Sequence, residues 1–123
     1  MRKTNRQIAG EIRKLDRERV RILNRLLVSD PLLKGSLSSV KRRCGKSNCH
    51  CVRKPAHPVW VLATRQKAKP RCQVVRLADV ETIRGHVKTY KEFRIALRRL
   101  CEVEKAQRLL LLRKLEERHM PYE

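Results

Sequence analysis

The stretch CGKSNCHC at residues 44–51 brings together three of the five cysteines of this 123-residue chain. Structural zinc sites use four Cys or His ligands in a tetrahedron, so this single short loop could supply most of one. His57 follows after a short connection and is the expected fourth ligand. The sequence therefore predicts one structural zinc ion, bound by Cys44, Cys49, Cys51 and His57.

Other residues compete for the fourth position. His50 lies between two predicted ligands, and its ring is expected to point away from the ion. Cys72 could return towards the site through a hairpin. Cys101 lies in a helical pattern and is expected to be a small buried hydrophobe. Gly45 can adopt the positive backbone angle that would let the loop curl around a metal ion.

The predicted zinc site lacks the groups that catalysis needs. Asp30 is the only acid in residues 28–76, whereas a catalytic zinc site has an open position and usually a nearby general base. We therefore expect a protein that is not an enzyme and takes no small-molecule substrate. No signal peptide or membrane span is recognised, so a cytoplasmic location is expected. Thiols stay reduced there, so close cysteines are better interpreted as metal ligands than as disulfides, and the odd cysteine count also disfavours a disulfide framework.

Positive charge is concentrated in the middle of the chain. The formal net charge is +20, and residues 28–76 carry 12 basic side chains with one acid. Uncompensated charge of this density indicates a polyanionic partner. A membrane partner is not expected, because no amphipathic segment presents the exposed Trp or Phe that would insert, and no apolar run is long enough to span a bilayer.

Two helical patterns enclose the cysteine cluster. Residues 4–28 start with Thr4 and Gln7, a capping-box pattern, and continue with apolar residues at helical spacing. Residues 79–119 form a longer helical pattern. Its apolar stripe is expected to pack on the first helix in an antiparallel hairpin, and consists of Ile83, Val87, Tyr90, Phe93, Leu97, Leu100 and Val103.

Between the helices, residues 35–76 have the pattern of a small ribbon. Residues 35–43 are predicted to form a strand, and the β-prone runs 59–64 and 72–75 flank a basic tip at 65–71. The predicted fold is α+β: two long helices with a three-stranded antiparallel zinc-ribbon-like insert, in a single domain over residues 1–123.

The end of the second helical pattern is apolar on more than one side, and such a surface needs a partner. Self-association into a homodimer is the preferred interpretation, and packing back onto the hairpin is the alternative. The residues concerned are Leu109, Leu110, Leu111, Leu112 and Leu115.

Basic residues surround the metal loop and the hairpin tip, and could form a continuous cationic patch that contacts phosphates if both groups face one side. Trp60 could stack on an unpaired base, although a lone Trp beside a small core is more often a packing residue. The predicted nucleic-acid-binding residues are Lys41, Arg42, Arg43, Lys46, Arg53, Lys54, Arg65, Lys67, Lys69 and Arg71.

The chain resembles an uncharacterised bacterial family of small proteins, described as a domain of unknown function and often met near transposon genes. The resemblance covers about residues 35–100 and is carried by Gly35-Ser36-Leu37, Arg42-Arg43-Cys44-Gly45-Lys46, Cys49, Cys51, His57, and Tyr90 with Phe93. Where the family has tyrosines after the histidine, this chain has Pro58-Val59-Trp60, so a stacking role for those aromatics does not carry over. The resemblance supports the zinc site and a mobile-element association.

These observations together predict a zinc-stabilised protein that binds nucleic acid through backbone and shape, with little sequence preference. DNA is favoured over RNA on the mobile-element association alone. The alternative is a dimeric coiled-coil adaptor whose zinc ribbon binds a protein partner.

Overall fold

The computed structural model describes residues 3–54 and 57–122. The first two residues, the last, and residues 55 and 56 of the predicted ribbon lie outside the described part. The order of elements is α1 (Asn5–Leu26), β1 (Ser36–Arg42), β2 (His57–Gln66), β3 (Lys69–Val75) and α2 (Val80–Arg118). Short 3₁₀ helices at His50–Val52 and Leu77–Asp79 precede β2 and α2. The structure is α+β, with a three-stranded antiparallel sheet between two helices in the sequence.

Helix α1 begins with the predicted capping box. The Gln7 amide donates to Thr4 Oγ1 at 3.2 Å, and the Thr4 amide donates to Gln7 Oε1 at 2.8 Å. Two of the amides that lack a partner in the first helical turn are thereby satisfied. The capping box is confirmed, and the helix ends two residues earlier than the predicted 4–28.

The sheet has the order β1-β2-β3, with β2 in the centre. Leu37 lies opposite Leu62, and Trp60 lies opposite Val75. Because partners directly across antiparallel strands share a face, these four side chains lie on one face of the sheet. This face takes part in the buried cluster with α2, and Val61, on the opposite face, is also buried.

The turn between β2 and β3 contains only Lys67 and Ala68, with φ angles of 51° and 65°. Two successive positive φ angles are the geometry of a type I′ hairpin turn, which usually selects Asn and Gly. The basic tip predicted over residues 65–71 is therefore largely paired strand. Pro70 is tolerated because β3 is an edge strand.

The chain divides into two compact units, residues 1–29 with 93–123 and residues 30–92. In the second unit, Leu62 and Val75 of the sheet form a buried cluster with Val80 and Val87 of α2, against which Ile83 also packs. The prediction that Ile83 and Val87 pack on the first helix is therefore wrong. The first turns of α2 follow β3 almost directly, so their apolar side chains pack on the sheet.

In the first unit, Ile8, Ile22 and Val103 are buried. The Arg99 guanidinium makes two hydrogen bonds to the Glu18 carboxylate, at 2.6 and 3.0 Å. Arg99 thereby holds the pKa of Glu18 below its ordinary value. Within the residues that the structure describes, neither helix contains a stretch long and apolar enough to cross a membrane.

Candidate metal centre

The sheet register positions the predicted ligands. Strand β1 ends at Arg42, which lies directly opposite His57, the first residue of β2. The loop that carries the three cysteines therefore leaves the sheet and returns to it at the same end of the strands, next to the histidine. Residues far apart on a linear chain are brought together because β1 and β2 are antiparallel.

The four predicted ligands form one cluster. Their ligand atoms, the Sγ of Cys44, Cys49 and Cys51 and a ring nitrogen of His57, all lie within 4.8 Å of one another. The Sγ atoms of Cys44 and Cys51 are 3.4 Å apart, and Nε2 of His57 is 3.2 Å from Sγ of Cys49. Tetrahedral zinc would give edges of about 3.8 Å between sulfurs and 3.6 Å from sulfur to nitrogen. The four residues are close enough to hold a metal ion.

Backbone hydrogen bonds shape the loop around this cluster. Gly45 has a φ of 82°, in the region that glycine adopts without steric cost. The Cys44 amide donates to Sγ of Cys51 at 3.3 Å. The Cys49 amide donates to the Lys46 carbonyl at 3.2 Å, and the Val52 amide donates to the Cys49 carbonyl at 3.1 Å. These turns bring the three cysteine sulfurs together. Cys51 is fully buried, Cys49 is half-buried and Cys44 is exposed.

The thiols differ in their readiness to ionise. The backbone amide of Lys46 lowers the pKa of Cys44, with help from the Cys51 thiol. The Cys44 amide acts to lower the pKa of Cys51, but burial and the neighbouring thiols outweigh it, so the pKa of Cys51 is raised. Negative charge on adjacent sulfurs is unfavourable unless a cation lies between them. This set of donor atoms suits a soft divalent metal ion.

The competing residues do not join the cluster. Nδ1 of His50 is 3.9 Å from Sγ of Cys49, but His50 is exposed and is not one of the four residues whose ligand atoms converge. Cys72 is exposed on β3, opposite Ala63. Cys101 is exposed on α2, so the prediction that it is buried is wrong. The buried side of α2 in this region carries Val103 instead.

All ten predicted nucleic-acid-binding residues are exposed, and the structure separates them into two groups. The metal-end group lies in or beside the cysteine loop: Lys41, Arg42, Arg43, Lys46, Arg53 and Lys54. The hairpin-end group lies around the turn between β2 and β3: Arg65, Lys67, Lys69 and Arg71. Strand β2 has ten residues, so the two groups are about 30 Å apart. They do not make one local patch.

Trp60 is half-buried against the core cluster. The guanidinium carbon of Arg84 lies over its ring, 5.1 Å from the centroid, a cation–π distance. This geometry favours the packing interpretation over base stacking. Sequence reasoning missed Arg84, because only the fold brings this turn of α2 next to β2.

Residues 6–85 match the family described as Domain of unknown function (DUF6788), so the chain belongs to that family. The match contains the complete sheet and all four clustered ligands, and it extends further towards the start of the chain than the predicted resemblance over 35–100. Neither the curated proteins nor the solved structures gave a match.

Proposed function

We propose that this protein binds nucleic acid through a zinc-stabilised basic ribbon, mainly by contacts to phosphates. One observation carries the proposal: ten exposed cationic side chains lie in the strands and connecting loops of a stretch, residues 28–76, that contains a single acid. Phosphate contacts of this kind supply most sequence-independent affinity. Asp30 cannot neutralise such a surface alone, and a polyanion relieves its self-repulsion.

Zinc is the metal that the ligand set supports best. Three thiolates and one imidazole match a common structural zinc combination, and the bound ion would leave a net charge of −1 on the four side chains. Four protein ligands fill the tetrahedron and leave no position for a reactive water. The proposed role of the ion is therefore to fold the ribbon, and no reaction is proposed.

The separation of the two basic groups defines how nucleic acid would lie. About 30 Å along β2 corresponds to roughly nine nucleotide steps, at 3.4 Å per step. A duplex or strand of that length or longer can contact both groups at once, whereas a fragment of half that length reaches only one. Affinity should therefore rise steeply between these lengths and level off beyond them.

To test this, the zinc-loaded protein is titrated into labelled DNA and RNA. Both polymers are used as duplexes and as single strands, in graded lengths and at several salt concentrations. Affinity should fall steeply with salt, because each phosphate contact releases counterions. Comparing DNA with RNA identifies the preferred polymer. Weak binding that is insensitive to salt would contradict the proposal.

Charge-reversal variants locate the contacts. Arg42→Glu with Arg43→Glu tests the metal end, and Lys67→Glu with Lys69→Glu tests the hairpin end. Each pair should reduce the logarithmic salt slope on duplex DNA by about 2. The four changes together should abolish binding while zinc content is retained. The matched control is Arg13→Glu with Arg17→Glu, which reverses two exposed charges on α1. If the control weakens binding as much as either test pair, the ribbon is not the binding surface.

A second candidate function is a protein adaptor, and the helical unit (the first compact unit, residues 1–29 with 93–123) favours it. Besides the Glu18–Arg99 pair, Gln107 donates to the Ile12 carbonyl at 3.2 Å. We propose that α1 and the second half of α2 form an antiparallel hairpin through these contacts. An open groove of about 760 Å³ in this unit is lined in part by Leu15, Leu109 and Leu110. A groove with apolar walls is a suitable docking site for a protein. Weak nucleic-acid binding that does not depend on salt would favour the adaptor.

A further inference from the structure

Helix α2 carries an exposed seam on the side of the second half that does not contact α1. Its residues recur alternately at four and three positions, which is the spacing of a coiled coil. They are Leu97, Cys101, Glu104, Arg108, Leu111 and Leu115, and all six are exposed.

The seam is separate from the contacts with α1. Val103 is buried and the Gln107 side chain reaches the Ile12 carbonyl, so these two residues mark the side of α2 that faces α1. At about 100° per residue, the centre of the seam lies roughly 80° to 120° further around the helix. A second helix can therefore lie along the seam without displacing α1.

The run of four leucines is divided between surfaces. Leu111 lies on the seam, whereas Leu109 is about 160° from Leu111 around the helix and lines the groove with Leu110. Leu111 is 54% exposed and Leu115 is 65% exposed. These seam leucines need a partner that the groove does not provide.

We propose that the seam binds the same seam of a second copy of this chain, in an antiparallel two-fold arrangement. In the register that centres the axis between Glu104 and Arg108, Leu97 faces Leu115 of the second copy, and Cys101 faces its Leu111. Glu104 then faces Arg108 of the second copy, and the symmetry repeats each contact.

The charged pair at the centre selects the antiparallel direction. In a parallel dimer, Glu104 would face Glu104 and Arg108 would face Arg108, and like charges across an interface are repulsive. In the antiparallel dimer both meet opposite charges. Neither residue makes an ion pair within the described residues of one chain, so both are free for this contact. Polar residues within a seam commonly fix its register and direction.

The inference is independent of the proposed function, because no nucleic-acid-binding residue or metal ligand lies on the seam. It makes the expected self-association specific: Leu111 and Leu115 take part, and Leu109 and Leu110 do not.

Sedimentation of the zinc-loaded full chain over a wide concentration range tests the dimer. The wild-type chain should be dimeric at high concentration. Glu104→Arg alone and Arg108→Glu alone should each weaken dimerisation by roughly tenfold or more, because each creates like-charge pairs. The double variant, Glu104→Arg with Arg108→Glu, should restore it, which also shows that loss in the single variants is not misfolding. A monomeric wild type, or a double variant weaker than either single, would overturn the proposal.

Cysteine cross-linking tests the register, with Cys72→Ser as the background. Under mild oxidation the background chain should stay uncross-linked, because Cys101 does not face Cys101 of the second copy. Adding Leu111→Cys should give a covalent dimer, and Cys101→Ser should abolish it. The two positions are about 15 Å apart within one helix, so the bond must join two chains. Cross-linking of the background chain through Cys101 would indicate a parallel dimer and contradict the inference.

Discussion

In the helical unit, buried Ile8, Ile22 and Val103 are accompanied by the ion pair between Glu18 and Arg99. In the ribbon, the described residues of the sheet and the cysteine loop make no ion pair at all, and many of their side chains are exposed cations. Self-repulsion therefore acts on the ribbon without local compensation. The ribbon shares a buried apolar cluster with the start of α2, but its uncompensated charge opposes folding. We therefore expect a cross-link such as a metal ion to contribute much of the ribbon's stability, whereas the helical unit combines packing with ion pairs.

The largest expected effect is on the ribbon alone. Cys49→Ser should release the metal and unfold residues 35–76, because binding free energies of structural zinc are about 10–16 kcal/mol in small zinc folds. Helix α1 should keep its protection. Hydrogen exchange with mass spectrometry measures both regions in one experiment. Cys72→Ser is the control, since Cys72 is exposed and outside the cluster. An equal loss of hydrogen-exchange protection in α1 and the ribbon would contradict the expectation that the helical unit folds independently of the metal.

A smaller effect contrasts two glycines. A Cβ at Gly35 would lie 2.9 Å from the Ala63 carbonyl oxygen and 3.1 Å from Cδ1 of Leu62. Gly35→Ala should therefore destabilise the ribbon by about 1–3 kcal/mol. At Gly85, inside α2, the added Cβ meets nothing within 4 Å, so Gly85→Ala should stabilise the helix by about 1 kcal/mol. Thermal unfolding of the two zinc-loaded variants measures whether each change lowers or raises the stability. A neutral Gly35→Ala would mean that the strands are further apart at this point.

The smallest expected effect concerns the Glu18–Arg99 pair. Because the pKa of Glu18 is lowered from 4.5 when folded, its ionised form adds stability that is present at neutral pH and is lost as the pH falls through the folded pKa. Glu18→Gln should therefore weaken protection of α1 at neutral pH, and the difference from wild type should disappear in acid. Glu92→Gln, at a 3.9 Å surface pair with Lys88, is the matched control. A difference that persists in acid would exclude the ion pair as its cause.

Local patterns in the sequence predicted the elements well. Thr4 and Gln7 marked the start of α1, because a capping box depends on neighbouring residues only. The cysteine spacing predicted the cluster, because three of its members share one loop. Its fourth member was harder, since His57 is brought in by the pairing of β1 with β2.

Features that depend on tertiary structure were predicted less well. Cys101 is apolar at helical spacing, like Val103, but only the position of α1 decides that Val103 is buried and Cys101 exposed. Ile83 and Val87 continue the helical stripe, yet they pack on the sheet. The two basic groups are both near β2 in sequence, and the antiparallel register places them at opposite ends of it.

The central claim is that a metal ion joins the cysteine loop to the start of β2. Zinc X-ray absorption on the purified full chain, with metal content measured on the same sample, tests it most directly. The expected result is one zinc per chain with three sulfurs at about 2.3 Å and one nitrogen at about 2.0–2.1 Å. A folded, metal-free ribbon, or a zinc ion without the His57 nitrogen in its shell, would contradict it.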